Sequence, residues 1–279
     1  MNIIEERFAV HQDDFKHYDT QKLRDHFLVE KIFVPNEVLF IYTHYERIMV
    51  GGAMPTDKPL PLEAVFQQKS AFFLERRELG AINIGGPGSV EVDGETFCVD
   101  TKEAIYIGRG AKTVIFNSDN GATPAKFYLN SAPAHHTYPT KKVGKADASV
   151  LELGAPETCN ERTIYQLLIS SVVETCQLQM GMTELKPGSI WNTMPMHTHS
   201  RRMEAYFYFN IPEDHSVCHF MGPANETRHL WVGNEQAVVS PPWSMHSGVG
   251  TANYTFIWGM AGENLDYTDM DFHKPSDIR

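Results

Sequence analysis

The sequence predicts an all-β fold of two antiparallel β-barrels with few short helices, and three observations carry that prediction. Short runs rich in β-branched and aromatic residues recur between Gly, Pro, Asn and Asp punctuation. An Asp-Gly pair stands between two alternating stretches, the signature of a two-residue hairpin turn. The two halves also repeat a similar order of charged motif, strands and Gly-bearing turn. We place the boundary at 150/151, giving an N-terminal barrel over residues 1–150 and a C-terminal one over residues 151–279.

The elements follow in chain order. Asp19 or Thr20 can cap a helix in which Leu23, Phe27 and Leu28 share one face. Strand signals then dominate from Val34 to Tyr45, and Gly51-Gly52 breaks the run at Met49-Val50. Ser89 to Phe97 forms a hairpin turning at Asp93-Gly94, and Ala104–Ile107, Thr113–Phe116 and Lys126–Leu129 add short strands. Tyr138 to Arg162, with Lys141, Lys142, Lys145, Gly144, Gly154 and Pro156, reads as a connection between the halves. Beyond it lie strands at Leu178–Leu185, Ala205–Phe209, Val217–Met221, His229–Val232, Ala237–Val239 and Thr255–Met260. Arg76-Arg77-Glu78-Leu79 aligns with Arg201-Arg202-Met203-Glu204, and Gly108 to Lys112 then falls near Pro242 to His246.

Composition excludes several functions. With 24 Lys plus Arg against 35 Asp plus Glu, the net charge of −11 argues against nucleic acid or an anionic membrane as partner. A hydrophobic share of 42% supports a real core. No apolar run approaches the ~20 residues of a spanning helix, and Glu5 and Glu6 stand where a leader would be basic, so we expect a cytoplasmic protein. Cys98, Cys159, Cys176 and Cys218 are scattered without a Cys-x-x-Cys pair, as expected of reduced thiols. Gly85-Gly86-Pro87-Gly88 is a turn before the hairpin, so no nucleotide cofactor is implied.

The segment that carries chemistry runs from Pro195 to Tyr206. His197 and His199 point to one face of a strand and can share a metal ion. Glu204 opens the next strand, on the face of Tyr206 and Tyr208, and His246 follows the Pro241-Pro242 pair. Thirteen histidines in 279 residues yield a His-x-His by chance ~0.6 times, so the pair is weak alone. Requiring Glu four or five residues on lowers the chance to roughly 0.1. Three imidazoles and a carboxylate suit Zn²⁺, Fe²⁺, Mn²⁺ or Ni²⁺ alike. The first half has no His-x-His before Glu78, and Lys112 stands near the place of His246, so its barrel should bind no metal.

These residues resemble the cupin superfamily, whose first motif runs Gly, His-x-His, Glu and whose second carries Pro and a later His. Here Gly188 lies farther ahead of His197 than that pattern has it. The resemblance implies a cupin-like two-barrel (bicupin) fold. The runs Phe73 to Gly80, Tyr138 to Lys142, Glu174 to Leu178, Trp191 to Pro195 and His246 to Thr251 are further similar to the 4-deoxy-L-threo-5-hexosulose-uronate ketol-isomerase family, from about Asp19 to Asp271. That likeness implies isomerisation of 5-dehydro-4-deoxy-D-glucuronate to 3-deoxy-D-glycero-2,5-hexodiulosonate in pectin and uronate breakdown. It also implies one Zn²⁺ per chain on His197, His199, Glu204 and His246, and a homohexamer.

Ketol isomerisation needs a carrier for a carbon-bound proton, and Glu184 and Tyr206 are the candidates near the motif. The sugar acid's carboxylate needs a cation. Arg162, Lys141, Lys142, Arg201 and Arg202 are closest in sequence, with Arg202 foremost because it shares the strand face of Glu204. The same ligand set admits an iron-dependent dioxygenase, a 5-deoxyglucuronate isomerase or a non-catalytic sugar-acid binder.

Overall fold

The computed structural model describes residues 3–263, 265 and 267–279. The chain is nearly all β, with two short α-helices at Gln12–Phe15 and Thr20–Phe27. Asp19 caps the second helix, its carboxylate accepting the Lys22 amide at 2.8 Å. Leu23 and Phe27 are its buried residues, as the spacing predicts. Leu28 differs from expectation: its backbone is extended and begins a two-residue strand, Leu28–Val29, that pairs with Gln236–Ser240.

Residues Met1–Arg7, Lys31–Ser149 and Leu167–Met180 form one compact unit, and Phe8–Glu30, Val150–Gln166 and Gly181–Arg279 form another. The first unit carries a seven-stranded sheet in the order Ile3–Arg7, Val38–Thr43, Met49–Ala53, Phe127–Pro133, Arg77–Asn83, Ala104–Ile107, Lys141–Val143. Its second sheet runs Leu60–Pro61, Val114–Ser118, Gly88–Val92, Glu95–Val99. One apolar cluster joins the two, including Phe40, Leu79, Val90, Phe116 and Phe127. The hairpin forms as predicted, with Asp93 and Gly94 both at positive φ, 48° and 89°. Gly51 and Gly52, by contrast, lie inside a strand. A side chain at Gly51 would start 2.0 Å from the Leu39 carbonyl oxygen, so close backbone approach explains the glycine.

The second unit repeats the plan. Its larger sheet runs Ser149–Leu153, Arg162–Leu168, Gln179–Leu185, Thr255–Gly262, Arg202–Phe209, Gln236–Ser240, Leu28–Val29. The smaller sheet runs Arg228–Val232, Val217–Gly222, Met245–Gly250, Trp191–Thr198, Asp271–Phe272. The expected connection from Tyr138 to Arg162 is thus partly strand, because Lys141–Val143 and Ser149–Leu153 each finish the edge of a sheet. Among the described residues no sheet closes into a barrel; each keeps two edges.

Candidate metal centre

The second unit brings His197, His199, Glu204 and His246 together between its two sheets, all buried. His197 is the penultimate residue of the Trp191–Thr198 strand, directly across from His246 on Met245–Gly250. A bulge between Asn192 and His197 shifts that pairing, with Thr193 at φ 47°. Such a bulge re-aims the side chains beyond it. Glu204 lies on the facing sheet, paired with Ser240.

The Nε2 atom of His197 stands 3.1 Å from Nε2 of both His199 and His246. A Glu204 carboxylate oxygen lies 3.1 Å from His199 Nε2 and 2.9 Å from His246 Nε2. Two donor atoms about 2.0–2.1 Å from one ion and at a right angle to each other stand about 3 Å apart, so these spacings fit a shared cation. Chemistry supports the same fit, since converging imidazole lone pairs repel unless a cation lies among them. Two of the three outer nitrogens have partners behind them, and His197 Nδ1 is buried without one among the described residues. His246 Nδ1 meets Ser240 Oγ at 3.2 Å, and His199 Nδ1 lies 3.4 Å from Asp269 Oδ1. Arg202 Nε also approaches His199 Nδ1, at 3.4 Å, so both histidines are oriented from their Nδ1 side with Nε2 turned to the cage.

Electrostatics keep two of the donors, His197 and Glu204, in ligating form. Burial, then the charges of His246 and His199, push His197 down to about 2, so its ring stays neutral. Burial opposes ionisation of Glu204, but the His246 charge and the hydrogen bonds from His199 and His246 outweigh it and hold the carboxyl well below its usual range.

The other predicted residues sit as follows. Tyr206 is buried, its ring centroid 5.1 Å from His246 and its hydroxyl 3.1 Å from Thr193 Oγ1. Burial, then the Glu204 carboxylate, raises its phenol well above the usual value. Arg202 is buried and pairs with Asp269 at 2.5 Å, beside His199. Glu184 is half-buried on Gln179–Leu185. Three residues earlier, Gly181 packs against the Trp258 ring, so strand alternation turns Glu184 to the opposite face. Sequence reasoning missed Asp269, Ser240 and His219. Asp269 belongs to a stretch without strand periodicity, and Ser240 emerges only from its register with Glu204. His219 sits within Val217–Gly222, its Nδ1 2.7 Å from the Tyr208 hydroxyl.

The family model described as the KduI/IolB family matches residues 36–276. This chain belongs to the KduI/IolB family. Among its relatives, a protein of Formosa agariphila named 4-deoxy-L-threo-5-hexosulose-uronate ketol-isomerase is 58% identical, covering 99% of this chain and 98% of its own. A second from Bacteroides thetaiotaomicron, named 4-deoxy-L-threo-5-hexosulose-uronate ketol-isomerase 1, is 57% identical over 98% of each chain. Among solved structures, an IolB-like protein of Salmonella typhimurium superposes with a TM-score of 0.66 at 15% identity, covering 81% of this chain and 87% of that one. Bacillus subtilis oxalate decarboxylase, which has Mn(II) centres, superposes at 0.56 with 10% identity, over 81% and 71%. At such identities the structures bear on the fold alone. Among the described residues no helix is long and apolar enough to cross a membrane.

Proposed function

We propose that this protein is a metal-dependent ketol-isomerase that converts 5-dehydro-4-deoxy-D-glucuronate to 3-deoxy-D-glycero-2,5-hexodiulosonate in uronate breakdown. The observation that carries the reading is 58% identity across 99% of the chain to a protein of that name. The buried cage of three imidazoles and one carboxylate supplies the chemistry such a reaction needs. His197, His199, Glu204 and His246 would hold one Zn²⁺ in this reading. A bound divalent cation acts as a Lewis acid on the sugar's oxygens, and so stabilises the charge left when a carbon-bound proton is removed.

The chain's own groups divide the remaining work. Tyr206 keeps its proton at neutral pH and lies against His246, which suits it to donate a hydrogen bond to a substrate oxygen. Arg202 acts as a positioning residue, holding Asp269 where it meets His199 Nδ1. Glu184 receives no role, because its strand face is opposite to that of Gly181 and Trp258. Completing the reading are two cupin-like antiparallel barrels, the first without metal and the second with it, a homohexamer and a cytoplasmic location.

Purified protein incubated with the unsaturated uronate released by a pectate lyase should turn it over. Chelation should stop the reaction and added zinc restore it. Full activity in exhaustively metal-free protein would refute the metal's role, and absence of turnover by the zinc-loaded protein would refute the substrate.

A further inference from the structure

One inward-facing side chain of the cage-bearing unit is left open to solvent. Asp271–Phe272 ends the smaller sheet, beside Trp191–Thr198. In that antiparallel pairing Phe272 stands directly opposite His197, so the two side chains project from the same face of the sheet. That face is the inner one, because His197 and its cross-strand partner His246 reach the cage from it. Ring positions agree with the register: the centroids of His197 and Phe272 lie 5.6 Å apart, with their planes at 68°.

Exposure separates Phe272 from the residues it adjoins. An aromatic on the inner face of a two-layer unit is ordinarily covered by the facing sheet. The four cage residues follow that rule at 2–7% exposed, whereas Phe272 is 60% exposed. An inner-face ring that solvent reaches while it touches a cage ligand marks the place where the two layers part. The flanking chain anchors the ring without covering it. Ser200 Oγ donates to the Asp271 carboxylate at 2.9 Å, and the His273 amide donates to the Met196 carbonyl at 2.8 Å. Phe272 is thus presented from a backbone tied on both sides. So large an apolar ring left in water forgoes the gain its burial would bring. A sugar can cover it, since its carbon-bound hydrogens form an apolar face while its oxygens remain free to meet polar groups alongside.

Resting on the isomerase reading, we propose that Phe272 is the aromatic wall of the sugar-acid site, its ring covered by the carbon–hydrogen face of the substrate while the oxygens of the reacting end lie at the His197, His199, Glu204, His246 cage. It is a binding residue. No bond to it forms or breaks in the isomerisation, so its effect falls on how tightly the sugar is held.

The test compares Phe272→Ala and Phe272→Trp with wild type, each as zinc-loaded full-length protein. Because the ring is mostly exposed, neither change opens a cavity in the core. Phe272→Ala should raise KM for the unsaturated uronate about 10-fold and alter kcat less than about 3-fold, as expected for the loss of one aromatic contact. Phe272→Trp, which restores an aromatic face, should keep KM within about 3-fold of wild type. A readout independent of turnover comes from replacing Phe272 with 4-fluorophenylalanine, whose fluorine resonance should shift when D-glucuronate is added as probe. An unchanged KM in Phe272→Ala overturns the proposal, and so does a fluorine resonance that D-glucuronate leaves in place. Weaker zinc retention at unchanged KM would make the ring a support for His197, and an altered assembly state at unchanged KM would make it a subunit contact; either result overturns the proposal. A glucuronate-dependent shift in zinc-loaded protein that turns nothing over would sustain the aromatic wall and refute the isomerase reading, so the two failures are distinguishable.

Discussion

The two units share a strand plan and have opposite interiors. Arg77–Asn83 runs between Phe127–Pro133 and Ala104–Ile107, just as Arg202–Phe209 runs between Thr255–Gly262 and Gln236–Ser240. Arg77 pairs with Pro133 and Leu79 with Ile107, while Arg202 pairs with Gly262 and Glu204 with Ser240. Leu79 therefore occupies the register of the cage carboxylate, and Ile107 that of the serine behind His246. The first unit does have a glutamate, one residue earlier. Strand alternation turns Glu78 away from the apolar cluster, and its carboxylate accepts the amides of Cys176, Gln177 and Leu178 and the Tyr106 hydroxyl at 2.7–2.8 Å. A one-residue offset separates a ligand from a clamp on the backbone.

The largest expected effect breaks this contrast in the second unit. His246→Ala or Glu204→Gln should lose the bound metal and reduce turnover to about 1% or less, while near-ultraviolet dichroism stays native. Metal analysis of the purified variants decides it, and stoichiometric zinc in either would remove that residue from the cage. Next is the matching change in the first unit. Glu78→Ala strands three amides, two of them buried, and should cost about 3 kcal/mol or more in urea unfolding, with metal content unchanged in the folded fraction. Loss of metal from folded Glu78→Ala would mean that the two interiors are not independent.

Much of this was legible in the sequence, for identifiable reasons. His197, Glu204 and His246 could be found because strand alternation and a short return put chemically distinctive residues on one face. The hairpin at Asp93-Gly94 was legible because few other pairs tolerate positive φ twice in succession. The Arg77 and Arg202 correspondence held because both sit at the same place in their strand pairings. What stayed hidden depended on tertiary register. Gly51 looked like a break because nothing local reveals that the Leu39 carbonyl passes 2.0 Å from its missing side chain. Arg202 looked free because Asp269 follows it by 67 residues with no periodic signal between. Lys141–Val143 and Ser149–Leu153 are short and mostly polar, so only the sheets they complete make them strands.

A smaller effect sharpens the role of that distant carboxylate. Asp269→Asn removes the charge that Arg202 and His199 share, and should weaken zinc binding about 10- to 100-fold, as losses behind a metal ligand usually do. Competition with a chelator of known affinity measures the change. An unaltered zinc affinity would reduce the Arg202–Asp269 pair to packing.

The smallest effect concerns pH and again divides the interiors. His219 is buried, and burial followed by the His246 charge lowers it to about 3. The unfolded chain binds that proton near pH 6.5, so the unfolded state gains protons first as pH falls. Stability contributed by neutral His219 is complete above pH ~6.5 and is lost progressively as pH descends toward 3. The apolar cluster of the first unit contains no histidine, so it should show no comparable loss. In metal-free protein, His219→Gln should reduce the fall in unfolding free energy between pH ~6.5 and ~5.5 by about 1 kcal/mol. The residual dependence belongs in part to His197, whose folded value is about 2. Urea titrations of both proteins across that interval provide the measurement. Equal slopes would show that His219 is protonated or hydrated in the folded state, and that the second interior is wetter than its burial implies.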